Sequence, residues 1–205
     1  SLFNCAAHIK VGESEADAAL AEKMAAELRA RGSTVLQTVG NWARGLSHGA
    51  SYLGDQIRVS KEPAVYRRPY FLLLEDDSPV VVHKGTLEAL LLRSCQILED
   101  HHDIVTVRTI RKGDYDGGVT TLGDAQDGRA FYSPNTDFQP LIMRSIDFER
   151  LCMVLEANPE ACAKVHCEQL WALILAGFSR NPLKHIVWKP EVAETVHIGV
   201  ENQQV

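Results

Sequence analysis

Three consecutive carboxylates, Glu75-Asp76-Asp77, close the apolar run Tyr70-Phe71-Leu72-Leu73-Leu74. An ionised carboxylate buried without water or a partner costs several kcal/mol or more, so these acids must meet solvent, a cation or a ligand. Hard divalent cations take oxygen ligands of this kind and commonly bring phosphate with them. A solvated acidic turn closed by Ser78-Pro79 is the plainer reading of the same residues. Cys162, His166 and Cys167 also cluster, but no second cysteine pair stands at zinc-site spacing, and zinc is not expected.

The run before the acids does not alternate, which is the pattern of a strand buried on both faces of a parallel sheet. In open α/β sheets the carboxyl ends of the strands open onto the ligand crevice, which puts the acids in that crevice. A first strand is read at Leu2 to Ile9, then a helix with Ser14 as N-cap and Asp17 near the exposed amides. Ala16, Leu20, Met24 and Leu28 recur every four residues as its apolar face, and Arg31-Gly32 closes it. Thr34 to Val39 completes a βαβ unit, and the acid-tipped strand becomes the third parallel strand. A short helix is expected around residues 45 to 59.

Beyond the acids, Thr86 to Asp100 reads as a helix with Leu87, Leu90, Leu91, Ser94 and Leu98 on one side, and Ile104 to Ile110 as a strand. Five glycines between residues 112 and 130 predict a long flexible connection. A strand from Phe138 to Met143, a helix from Asp147 to Glu156 and a helix from His166 to Gly177, apolar almost all round, follow. Short strands are expected at Ile186 to Trp188 and Thr195 to Gly199.

A chain of 205 residues suffices for one well-buried domain. A net charge of -6 argues against nucleic acid as a main partner, which would call for a basic face. The five scattered cysteines suit a reduced, cytoplasmic protein rather than a disulfide framework. No apolar run approaches a membrane span and no signal peptide is visible. Because it starts at Ser1, the chain is read as processed or as excised from a longer, multi-domain protein.

The order of these elements resembles the GT-A fold of nucleotide-sugar glycosyltransferases, most nearly family-2-like enzymes with a Leu-Glu-Asp-Asp metal motif. The residues carrying the resemblance are Leu74-Glu75-Asp76-Asp77, Phe131 to Asn135 with Gln139-Pro140, Glu168 in His166-Cys167-Glu168-Gln169, and His197 in Thr195-Val196-His197-Ile198-Gly199. It implies a mostly parallel, Rossmann-like α/β sheet flanked by helices in a single domain. It also implies metal-dependent and inverting transfer of a sugar from a UDP-sugar to a glycan or glycoprotein acceptor. Asp77, Glu75 and His197 would hold Mn2+ or Mg2+, with Asp76 assisting at the diphosphate, and Glu168 would be the general base. The nucleotide would lie near Ala6, Ala7, His8, Asn41, Arg44, His48 and Ser51, and Phe131 to Asn135 would lead to the acceptor side.

Two positions depart from the family's pattern. Glu75 stands where an aspartate is usual, and Gln169 follows Glu168 where the family often has an acid. The rival expectation is a non-catalytic nucleotide-sugar or metal-binding module of a larger protein.

Overall fold

The computed structural model describes residues 6–11, 14–32, 34–39, 70–74, 78–136, 140–165 and 167–196. The short helix expected at 45–59 lies outside them. The chain divides into two compact units, Ser1–Val65 with Glu149–Leu170, and Tyr66–Phe148 with Trp171–Val205.

In the first unit, β1 (Ala6–Val11) and β2 (Thr34–Val39) pair in parallel, with α1 (Glu15–Ala30) packed on them as the crossover of a βαβ unit. Ser14 caps α1 by accepting from the Asp17 amide at 3.1 Å. Gly32, at φ +85°, turns the chain out of the helix. The buried positions of α1 are Ala21 and Ala25, whereas Ala16, Leu20 and Met24 are exposed and Leu28 is half-buried. The expected face is therefore displaced by about one residue, because small alanines let the helix axis come closer to the strands than leucines would.

The second unit is built on a six-stranded sheet of order β3-β8-β5-β9-β7-β6. Its strands are β3 (Tyr70–Leu73), β5 (Thr106–Arg108), β6 (Asp124–Ala125), β7 (Ala130–Ser133), β8 (Leu141–Arg144) and β9 (His185–Trp188). Only β5 and β9 are parallel neighbours, and every other adjacent pair is antiparallel. This corrects the expected mostly parallel sheet: the architecture is α/β with a mixed sheet. The acid-tipped strand β3 is also corrected, since it is a half-buried edge strand antiparallel to β8 rather than a strand covered on both faces. Its run of apolar residues reflects two partly covered faces at a sheet edge. A separate antiparallel pair joins β4 (Val80–Val82) to β10 (Ala193–Thr195).

Alternation along the central strands sorts their side chains. Ile142, Val107, Ile186 and Trp188 form the main core with Ile97 and Leu98 of α2 (Leu87–Asp100), which Thr86 caps. Val187 and Phe131 face the other way and pack with Ile110, Tyr115 and Val119. Those contacts correct the expectation of a loose connection after residue 112. Tyr115 and Val119 anchor a stretch that holds the short helix α3 (Lys112–Asp116) and the β6–β7 hairpin, turned through Gln126 and Asp127 at φ +53° and +55°.

Three more helices follow: α4 (Ser145–Ala157), α5 (Pro159–Lys164) and α6 (Cys167–Ala176). Phe148, Leu151, Cys152 and Leu155 give α4 its buried stripe, and Phe148 stacks on Phe71 with ring centroids 3.7 Å apart. In α6, Leu170, Trp171 and Leu175 are buried but Leu173 is 69% exposed, so this helix, apolar almost all round in sequence, is buried on one side rather than throughout. No helix among the described residues is long and apolar enough to cross a membrane.

Candidate active site

The strand directions decide which ends meet. β3, β5 and β9 run the same way, so Leu73, Arg108 and Val187 lie in one row across the sheet, joined through Leu141. The chain leaves β3 through Leu74 on that edge, and Glu75, Asp76 and Asp77 follow outside the described residues. It is described again at Ser78, which is buried, and then enters β4.

The partner of β4 comes from the far end of the sequence. Val82, Val81 and Val80 pair with Ala193, Glu194 and Thr195, and the Val196 amide donates to the Pro79 carbonyl at 3.0 Å. The Thr195 amide donates to the Ile110 carbonyl at 3.0 Å, which ties β10 to the stretch following β5. Side chains reinforce both joints. His83 Nε2 lies 2.9 Å from Glu194 Oε1, and the Thr109 and Thr195 hydroxyls share a buried hydrogen bond of 2.6 Å. Residues 78–82, 109–110 and 193–196 therefore form one tied group beside the end of β5.

The other expected site residues are distributed more widely. Ala6, Ala7 and His8 open β1, in register with Thr34, Val35 and Leu36. Glu168 is the second residue of α6, with its side chain outside the described part. Asn41, Arg44, His48, Ser51 and His197 lie outside the described residues. Phe131 to Asn135 does not run towards the side of the sheet where β3 ends. Ser133 is in register with His185, at the start of β9 and so at the opposite end of the strands from Arg108 and Val187. Among the described residues no group of three or more His, Cys, Asp or Glu side chains is arranged to hold a metal ion. The acids of the 112–130 stretch make surface ion pairs, Asp116 with Lys112 at 2.7 Å and Asp124 with Lys189 at 2.8 Å.

A stripe of buried polar side chains went unforeseen. Thr106, Arg108, Ser133 and His185 are all buried, and the sheet register puts them on one face. Thr106 Oγ1 and His185 Nδ1 lie 2.9 Å apart, and Arg108 Nη1 donates to the Thr109 carbonyl at 3.2 Å. Burial, with the cations of Arg108 and Lys184 nearby, lowers the His185 pKa to about 3 and keeps the ring neutral. The one available signal was weak: His185 alternates with Val187 in a strand whose other face is Ile186 and Trp188.

No protein family, curated protein or solved structure matches the chain.

Proposed function

We propose that the chain is a metal-dependent, inverting glycosyltransferase that moves a sugar from a UDP-sugar onto a hydroxyl of a glycan or glycoprotein acceptor. The observation that carries this reading is the β4–β10 pairing with its extension from Val196 to Pro79. It joins Pro79 and Val80, which closely follow Asp77 in sequence, to Thr195 and Val196, which immediately precede His197, across more than a hundred intervening residues. Support also comes from the common direction of β3, β5 and β9, which brings the ends of these three strands to one side of the sheet.

Carboxylate oxygens from Glu75 and Asp77 with one imidazole from His197 form a donor set suited to Mn2+ or Mg2+, and the imidazole favours Mn2+. When bound, such an ion neutralises the charge that builds on a departing diphosphate. Glu168 takes the acceptor proton in this reading, a role worth about 10² to 10⁴ in rate.

The test is a calorimetric titration of UDP into the protein with Mn2+ and again with EDTA. Binding should appear only with the metal, and Asp77→Ala should abolish it. Absence of UDP binding in both conditions, or full affinity in Asp77→Ala, would overturn the reading.

A further inference from the structure

A cavity of about 290 Å³ lies between the sheet and α2, directly under the end of β3. Its floor is the α2-facing side of the sheet, with Leu72, Ile142 and Trp188, and its wall is the Leu90-Leu91 step of α2. Leu74, 61% exposed, and Leu87, 50% exposed, stand where it opens. Two of its polar lining groups are already engaged within the protein. Ser94 Oγ donates to the Leu90 carbonyl at 2.8 Å and accepts from Trp188 Nε1 at 3.0 Å. Thr109 Oγ1 is taken up by Thr195. Arg108 also lines the cavity, its Nη1 donating to the Thr109 carbonyl at 3.2 Å, and with Ser78 it completes the polar part of a lining that is otherwise apolar.

Size narrows the guest further. Pockets that enclose a whole drug-sized ligand run from about 300 to 1,000 Å³, so this one suits a substituent rather than an entire molecule. An apolar cavity of about 150 Å³ holds benzene, so this one has room for a medium alkyl chain or a larger ring. Leu74 and Ser78, which bracket the three acids in sequence, both line it.

We propose that this cavity receives an apolar aglycone, so that the acceptor is a glycoside whose alkyl or aryl group inserts between β3 and α2. Binding of the apolar group follows from the cavity alone; calling it the acceptor's aglycone rests on the transferase reading.

Titration of octyl, phenyl and methyl β-glucosides, with the octyl compound below its critical micelle concentration, tests it. The octyl or the phenyl compound should bind at least about tenfold more tightly than the methyl one, and the stronger of the two tells chain from ring. Leu74→Glu and Leu87→Glu, both on exposed positions that leave the core intact, should remove most of that advantage, as should the cavity-filling Leu91→Phe. Equal affinity for all three glucosides, or an advantage untouched by the two rim variants, would overturn the proposal. A parallel UDP and Mn2+ titration separates the two ideas. Apolar binding without UDP binding would keep the cavity as a ligand site and remove the acceptor assignment, whereas UDP binding without apolar binding would sink the cavity proposal alone.

Discussion

His185 shows what a single buried side chain commits the protein to. It has no exposed surface, its Nδ1 is engaged by Thr106, and its Nε2 has no hydrogen-bond partner among the described residues. A proton added to that ring would be a buried charge beside the Arg108 and Lys184 cations, which is why its pKa falls to about 3. In the unfolded chain the ring titrates near its ordinary value of about 6.5. Between those values the unfolded state binds a proton that the folded state refuses. The stabilisation is therefore complete above about pH 6.5 and is lost as pH falls towards 3, by up to about 4–5 kcal/mol. Urea unfolding midpoints measured from pH 7 to pH 4 should decline in the wild type. The double variant Thr106→Val, His185→Leu, which removes the ring and its partner together, should lose that part of the decline. A variant whose pH profile parallels the wild type would show that other groups carry the acid sensitivity.

At the scale of elements, Arg144 joins three of them. It ends β8 and donates to the carbonyls of Leu98 and His101 at the end of α2, to that of Ile104 before β5, and to Asp147 at the start of α4. The last carbonyls of a helix have no partner inside it and sit at its negative end, so a guanidinium there satisfies both needs at once. Arg144→Met keeps the stem but leaves those carbonyls and Asp147 without this partner. It should cost about 2–4 kcal/mol in thermal or urea unfolding, with Arg144→Lys recovering only part because an ammonium cannot fork. A loss below about 0.5 kcal/mol would mean that water replaces the side chain without penalty. Such joints mark the limit of what the sequence reveals. Ser14 and Asp17, Thr86, and the span Thr34 to Val39 were legible because caps and β-branched runs act over a few residues. The direction of β3 was not, because it depends on β8, some seventy residues later. The acids at 75–77 could be read as a candidate site because they are contiguous in the sequence. The Thr106–His185 pair, 79 residues apart, left only the weak alternation of His185 with Val187.

At the scale of the molecule, neither unit is a continuous piece of chain. The second unit closes only with Trp171–Val205, and the first needs Glu149–Leu170. The decisive strand is β9, which pairs with β5 on one side and β7 on the other and is buried at all four positions. A chain ending at residue 170 contains every segment of the first unit but lacks β9 and β10. β5 and β7 would then lose their shared neighbour, leaving buried backbone groups unpaired where each orphan costs about as much as a lost hydrogen bond. Val187, Ile186 and Trp188 would leave both apolar clusters as well. The fragment should therefore show no cooperative thermal transition by circular dichroism for the sheet, while the full chain melts cooperatively. A fragment that kept most of the full-length transition would mean that β5 and β7 can close on each other. The tie from β10 to β4 also forms only when residues 193–196 are present, so the same truncation should abolish any metal-dependent UDP binding. Loss of both properties on removing one C-terminal segment follows from the topology, because that segment supplies a central strand of the sheet and the strand that pairs with β4.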